Sequence, residues 1–442
     1  MKNILVIGAG RSSTALIHYL LDKSEQYGWF VSVADADPQQ AEKKVNGHPN
    51  GRAIWLDVMK PNDRKDILSR VDIVVSLLPA HLHLQVAQDC IKLRKHLITA
   101  SYVSREMYRL GDEARDASLI FMGEMGLDPG IDHMSAMQTL DRLRDEGCKL
   151  ISFKSYAGGI VAPESDDNPW HYKFSWNPRN VVLAGQGTAQ YLENNKLRCV
   201  PYHRLFASAE RIDIPGFQPL DAYPNRDSLL YRSIYGLDAI PNLLRATLRY
   251  PEFCDAWHAL IKIGLTDGSY PLHESDQLTY HEWIASYLPQ GPGSVKERCA
   301  RFLGLAVDSR IMQQIEWLGL FRKKKIKVEN ATPALLLENL LLKKWKMRSN
   351  DRDMIVMQHE FEYETKEGKQ EHLTSTMLMK GEDAEDTAMA RLVGLPMGIF
   401  VRLIAEGKIS TTGVQIPIMR EVYEPVLEEL QEYGVSFEER IR

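Results

Sequence analysis

The chain is poor in cysteine, with 5 among 442 residues. Cys90, Cys148, Cys199, Cys254 and Cys299 are odd in number and show no Cys-x-x-Cys spacing. That argues against a disulfide framework or a thiolate metal site and fits buried thiols in a reducing compartment; no metal is expected. An excess of one charge is also missing. The formal net charge is −5 with both signs interspersed, so no nucleic-acid partner is expected. The one basic run, Arg322-Lys323-Lys324-Lys325-Ile326-Lys327, reads as a solvated loop or strand edge. Long hydrophobic runs are scarce. The most apolar stretch is taken as residues 334–342, which contains Glu338 and Asn339 and falls far short of a membrane span. The N-terminus enters a strand without a signal-peptide pattern. A soluble, cytoplasmic protein with no membrane partner is the expectation. There are no internal repeats, and the length allows two or three domains.

What the chain does have begins at its N-terminus. Ile4-Leu5-Val6-Ile7 reads as a buried strand, Gly8-Ala9-Gly10 as a tight turn, and Arg11-Ser12-Ser13 as the entry to a helix carrying Ala15, Leu16, Tyr19 and Leu20 on one face. A strand, a glycine turn and a helix in that order form a dinucleotide-binding unit. The first glycine permits the turn, the second lets backbone approach a pyrophosphate, and helix-terminal amides receive it. Ser13 takes the place of the usual third glycine and is small enough for close packing. The next strand, residues 30–34, ends at Asp35. An acid there bonds the ribose hydroxyls and repels a 2′-phosphate, which favours NAD, with NADP possible. Asp37 is an alternative for that position, and Arg11, Lys43 and Lys44 could offset the repulsion.

Further strands are expected at 53–56, 73–77, 97–100 and 119–122 with helices between most of them. The fold class is therefore α/β, a doubly wound parallel sheet. Strands at 150–156, 180–183, 196–200 and 205–207 suggest an inserted α+β region. Helical pieces are expected at 231–236, 239–248, 251–263 and 295–303. A hairpin at 353–363 and 371–379 follows. Helix is then expected over 383–404, interrupted at Gly394-Leu395-Pro396, and again around 423–432.

Several motifs carry chemistry. Thr99-Ala100-Ser101-Tyr102 and Asp128-Pro129-Gly130 end sheet strands at the ligand-binding edge. Tyr172-Lys173-Phe174-Ser175-Trp176 is rich in aromatics, Tyr223-Pro224-Asn225-Arg226-Asp227-Ser228 is a turn with an arginine, and Thr247-Leu248-Arg249-Tyr250 is expected at a helix end. Each has a plain alternative: rim aromatic, ordinary turn, packed core, or surface arginine paired with an acid. Together they suit a nicotinamide enzyme acting on a multiply charged amino acid. Arginines grip carboxylates bidentately, and a tyrosine with a carboxylate can move protons.

These strings resemble the L-glutamate-forming saccharopine dehydrogenase family. The resemblance rests on I-G-A-G, T-A-S-Y-V, G-L-D-P-G-I-D-H-M, Y-K-F-S-W-N-P-R, Y-P-N-R-D-S, T-L-R-Y and G-L-P-M-G-I with Glu406-Gly407-Lys408, in order along nearly the whole chain. It implies a Rossmann domain assembled from residues 1–127 and about 390–442. It further implies an α+β substrate and dimerisation domain at 128–227 and about 346–389, a mainly helical subdomain at about 228–345, and a homodimer. The implied reaction interconverts saccharopine and water with L-glutamate and 2-aminoadipate 6-semialdehyde. Ser101, Tyr102, Asp128, Arg226, Thr247, Leu248 and Arg249 would contact saccharopine. Gly8, Gly10, Arg11, Ser12, Ser13, Asp35, Asp57, Val58, Leu78, Thr99 and Ser175 would contact the cofactor. Tyr102 and Asp128 are the acid–base candidates. Ala157 stands where many relatives are expected to carry cysteine, so no cysteine-dependent step is expected.

Three alternatives remain on sequence grounds. Carboxynorspermidine dehydrogenase and lysine 6-dehydrogenase share the fold, but cationic substrates would want acids where Arg226 and Arg249 stand. A catalytically silent dinucleotide sensor would need neither Tyr102 nor Asp128.

Overall fold

The protein, a computed structural model describing residues 2–442, divides into two compact units. The first comprises residues 2–149, Thr365–Gly368 and Met379–Glu438; the second comprises Leu150–Glu364, Lys369–Leu378 and Glu439–Arg442.

In the first unit, short β-branched runs form six strands: β1 (Lys2–Ile7), β2 (Trp29–Asp35), β3 (Gly51–Trp55), β4 (Ile73–Ser76), β5 (His96–Thr99) and β6 (Ile120–Met122). Their order is β3-β2-β1-β4-β5-β6, with Gly413–Gln415 added beside β6, and every neighbouring pair runs parallel. Strands buried on both faces need continuous apolar sequence, and Ile4 to Ile7 and Ile73 to Val75 supply it. Strand order reverses between β1 and β4. Open sheets of this kind bind ligands there, beyond the carboxyl ends of the strands. The helices that matter below are α1 (Thr14–Asp22), α2 (Pro38–Val45), α3 (Pro61–Ser69), α4 (His83–Leu93) and α5 (Ile131–Asp145).

Two C-terminal helices, α6 (Ala388–Ala405) and α7 (Arg420–Glu432), complete this unit. The interruption expected in α6 does not occur, and Pro396 lies inside a continuous helix. A proline there removes one backbone hydrogen bond, and here close packing offsets it. A Cβ on Gly394 would lie 2.6 Å from the Leu16 backbone nitrogen, and one on Gly398 would lie 2.6 Å from the Tyr19 ring. The close helix contact usually allowed by the third glycine of the turn is therefore made from the far end of the chain. The same helix, and not residues 334–342, is the longest apolar run. It is long and apolar enough to cross a membrane by length and composition, with mean hydropathy 1.6, yet 78% of it is buried. A polar lock joins it to its neighbours. Glu429 accepts from Arg402 Nε at 3.0 Å and from the Tyr19 hydroxyl at 2.6 Å. Helix α5 also belongs to this unit, tied to α7 by Tyr423 on Asp141 (2.7 Å) and Arg420 on Asp145 (3.0 Å). The unit thus runs on to residue 149, past the boundary expected at 127.

The second unit is built on a nine-stranded sheet containing β7 (Lys149–Val161), β8 (Thr188–Glu193), β9 (Lys196–Pro201), β10 (Glu210–Ile212), β11 (Leu220–Pro224), β12 (Asn242–Arg249), β13 (Asp353–Glu364) and β14 (Gln370–Lys380). The path is β10-β11-β12-β7-β13-β14 and then Glu438–Ile441, with β8 and β9 branching from β12. Its helices pack around buried Trp170, Trp257, Trp283 and Trp345, and they form one unit with the sheet.

Four local expectations fail here, the first being the helix at 231–236, where the chain forms turns closed by Tyr235 N on Tyr231 O and Leu237 N on Arg232 O. Most of residues 239–248 lie in strand β12, not in a helix, because pairing parallel to β7 and antiparallel to β11 buries Leu243, Ala246 and Leu248. Tertiary pairing overrides the helix propensity of Leu, Arg and Ala. Residues 180–183 lie mostly in a helix, Pro178–Val182, whose Asn177 cap accepts from Arg179 N; Asn-Pro is a helix start. Leu205–Ala207 is likewise helical, not extended.

Candidate active site

At the first strand of the doubly wound sheet, Gly8 has φ +106, a conformation open to glycine. A Cβ there would press on the Leu77 backbone at 3.3 Å, while a Cβ on Gly10 would meet nothing within 4 Å. The turn is closed on the sheet side and open on the other. Ser13 Oγ donates back to Gly10 O at 2.8 Å, and neither helical start after the turn has a side-chain cap. Uncapped amides beside an open glycine fit a pyrophosphate. Arg11 is exposed and Ser12 half-buried at the same turn.

Asp35 sits at the end of β2 and braces this turn. Its carboxylate accepts from Ala9 N at 2.7 Å and from Asp37 N at 2.8 Å. Asp37 instead caps α2, accepting from Gln39 N. Lys43 pairs with Glu385 and Lys44 with Thr14 Oγ1. Along the same edge, Asp57 accepts from Met59 N at 3.0 Å, and Val58 O takes a hydrogen bond from Arg64. Arg64 and Asp89, 25 residues apart and in no recognisable motif, form a buried ion pair of 2.8 Å that anchors this loop. Leu78 follows β4 and Thr99 closes β5.

The acid–base candidates meet at the carboxyl ends of β5 and β6. The Tyr102 hydroxyl donates to Asp128 Oδ1 at 3.3 Å. Beyond β6 the chain folds along the end of β5, with Glu124 N on Ser101 O (3.1 Å) and Met125 N on Thr99 O (3.0 Å). The Asp128 loop then closes on itself through Gly126 N to Pro129 O and Ile131 N to Gly126 O. Asp128-Pro129 is cis, and Gly130, at φ +149, approaches so closely that a Cβ would lie 2.0 Å from Gly126 O.

Beneath this loop lies a buried polar network. Glu124 accepts from Val103 N (3.0 Å) and from His133 Nε2 (2.8 Å), while Asp132 accepts from Gly130 N (2.6 Å). Thus the segment carrying Tyr102 and the loop carrying Asp128 share one buried anchor. Asp132 and His133 stand in the string G-L-D-P-G-I-D-H-M, and Glu124 lies two residues before it; the motifs assign none of the three a role. Their clue is charge placed among apolar residues.

Second-unit residues form their own cluster. Thr247, Leu248 and Arg249 end β12, and the register sets Thr247 opposite Tyr223 on β11 and Ala157 on β7. Arg249 is 4% exposed. Its guanidinium lies 5.3, 5.9 and 5.6 Å from the rings of Tyr172, Tyr223 and Phe253. It donates to Leu248 O at 2.8 Å, and its Nε has no partner. Among the described residues no carboxylate pairs with it, so the surface-arginine alternative fails. Burial pushes the Tyr223 phenol up, with Arg249 pulling the other way. Arg226 is exposed at φ +49, its carbonyl accepting from Gln190 N. Ser175 is buried near Lys173, which bonds Asp351 at 2.8 Å.

Family models decide the kinship. Residues 4–122 match the saccharopine dehydrogenase NADP binding domain, and residues 126–435 match the saccharopine dehydrogenase C-terminal domain. The chain belongs to the saccharopine dehydrogenase family. It is 35% identical to the NADP(+), L-glutamate-forming saccharopine dehydrogenase of Schizosaccharomyces pombe, covering 100% of this chain and 99% of that one. The corresponding protein of Saccharomyces cerevisiae is 34% identical, with 99% of each covered. Mouse mitochondrial alpha-aminoadipic semialdehyde synthase is 34% identical over 99% of this chain, which spans 47% of that longer protein. The solved apo saccharopine dehydrogenase (L-Glu forming) of S. cerevisiae superposes with TM-score 0.88 at 33% identity over 100% of both chains. Among the described residues no cluster of His, Cys, Asp and Glu has the makings of a metal site.

Proposed function

We propose that this chain carries out the reaction for which its relatives are named, converting saccharopine, water and an oxidised nicotinamide dinucleotide into L-glutamate, 2-aminoadipate 6-semialdehyde and the reduced dinucleotide. The observation that carries this is Arg249. A buried guanidinium without a carboxylate is costly to keep, and an incoming carboxylate would offset that cost. Saccharopine brings three carboxylates. The exposed Arg226 is the second cation assigned to them, and Thr247 and Leu248, which precede Arg249 on β12, are assigned to the substrate as well.

The open glycine turn, the uncapped amides after it and Asp35 fit the dinucleotide, with Asp57, Val58, Leu78, Thr99 and Ser175 as further contacts. When bound, it supplies the hydride acceptor for the carbon next to the secondary amine on the lysine-derived side. This chain's residues then have proton work to do. Asp128 is assigned as the base that takes the proton from the amine nitrogen, releases it to solvent, and later takes a proton from the attacking water, which it can return to Tyr102 after that residue has donated its own. Tyr102, hydrogen-bonded to Asp128, is assigned as the donor to the departing glutamate nitrogen. Ser101 is assigned a substrate oxygen. Ala157, in one row with Thr247, leaves no thiol at that place, and none of these steps requires one.

NADP is the dinucleotide supported by the names of the family domain and of the relatives, against the NAD preference expected from Asp35. Two backbone amides take up the Asp35 carboxylate, which lessens its repulsion of a 2′-phosphate. Carboxynorspermidine and lysine each bring one carboxylate and more positive charge to two assigned arginines, a poorer match than saccharopine, and a silent sensor would have no use for the Tyr102–Asp128 pair. A homodimer is supported by the resemblance, and light scattering in solution checks it.

The test is Asp128→Asn, assayed for glutamate release from saccharopine with each dinucleotide. Turnover is expected to fall by about 10²–10⁴ while saccharopine still binds. A variant that works at the wild-type rate removes Asp128 from the proton chemistry.

A further inference from the structure

One buried titratable group beside this site has no role in the chemistry so far. His83, the first residue of α4, is 4% exposed. Its Nδ1 lies 3.0 Å from Ser76 Oγ, and its Nε2 lies 2.9 Å from Ser101 Oγ. Ser76 ends β4 with no exposure at all, and Ser101 is half-buried two residues past β5. All three side chains thus sit at the carboxyl edge of the sheet.

Burial, with nearby His81 acting in the same direction, pushes the imidazole down to about 4. Near neutral pH the ring therefore carries one hydrogen, and the two nitrogens have opposite roles. The buried Ser76 hydroxyl settles which is which. Among the described residues, its side chain has His83 Nδ1 as its one hydrogen-bond partner. A buried hydroxyl hydrogen needs an acceptor, so Ser76 donates to Nδ1. The ring hydrogen is then on Nε2 and is donated to Ser101 Oγ. With that lone pair occupied, Ser101 turns its own hydrogen outward.

We propose that His83 is a positioning residue that commits Ser101 to act as a hydrogen-bond donor to a carboxylate oxygen of the substrate. The chain Ser76 to His83 to Ser101 to carboxylate runs in one direction. The opposite tautomer would present lone pairs to an anion and repel it. This assignment rests on the saccharopine reading for its substrate, but the direction of the chain follows from Ser76 alone.

Variant kinetics and nitrogen NMR test it. In steady-state kinetics with saccharopine varied, His83→Ala should raise KM roughly tenfold to a hundredfold, the range for a hydrogen bond to a charged group. The dinucleotide dissociation constant should stay near wild type. His83→Gln, whose amide can restore a donor near Nε2, should recover most of the loss. In a Ser101→Ala background, His83→Ala should add less than about twofold, because the two act as one unit. Full additivity, or an unchanged KM in His83→Ala, overturns the proposal. Nitrogen NMR of the wild-type protein is independent of substrate and of variant folding: His83 should carry its hydrogen on Nε2, and a hydrogen on Nδ1 overturns the proposal. If the wild type does not turn over saccharopine, the functional reading fails, while the NMR result still decides the direction of the chain.

Discussion

At the scale of single residues, Arg249 separates a functional charge from a structural one. A structural arginine stabilises the fold through its partners, so losing it lowers the melting temperature. Arg249 has aromatic faces and one carbonyl but no carboxylate, and its burial costs stability until a ligand arrives. Arg249→Met keeps most of the volume and removes the charge. It should raise the thermal midpoint of the ligand-free protein and lower kcat/KM for saccharopine by about 2–4 kcal/mol, roughly 30- to 700-fold. A lower midpoint with an unchanged KM would make Arg249 a core residue. Asp35 gives a second test. Asp35→Asn keeps an acceptor for the Ala9 amide and removes a charge near the ribose, so kcat/KM with NADP relative to NAD should rise about tenfold or more. The residue types of the site could be read from sequence: Gly8, Gly10, Asp35, Tyr102, Asp128 and Arg249 were all singled out. Their surroundings could not. The aromatic, carboxylate-free surroundings of Arg249, the imidazole between Ser76 and Ser101, and the Arg64–Asp89 pair arise from residues brought together by folding, which leaves no local pattern.

At the scale of elements, period and punctuation served where an element's own sequence decided its state. The parallel strands and the 353–379 hairpin carry β-branched, buried runs, and 295–303 carries helical spacing. Strand β12 was misread because its sequence, Asn-Leu-Leu-Arg-Ala-Thr-Leu-Arg, favours helix until β7 and β11 flank it. Helix α6 was split in two because Gly394 and Pro396 look like breakers in isolation. In the fold they lie on a buried helix, and Gly394 and Gly398 let α1 approach. Gly394→Ala should therefore destabilise the protein by about 1–3 kcal/mol, the usual cost of overpacking, since its Cβ would lie 2.6 Å from a backbone nitrogen that cannot move aside easily. Denaturant unfolding measures this, and an unchanged midpoint would mean α6 can shift away from α1 at no cost.

At the scale of the whole molecule, kinship over the full chain and the chemistry of two separate clusters agree. The first unit supplies an open glycine turn and a tyrosine–carboxylate pair held over a buried acid–histidine anchor. The second supplies a cation in want of an anion. Arg249, with no carboxylate beside it among the described residues, calls for an anionic group on the substrate, and the relatives matched over the full chain are named for saccharopine. The most direct test is the initial rate of NADP reduction by the purified protein with saccharopine, carboxynorspermidine or lysine as the only other substrate. Reduction with saccharopine alone, releasing one glutamate per NADPH formed, is the predicted result. Reduction with either cationic compound and none with saccharopine would contradict it.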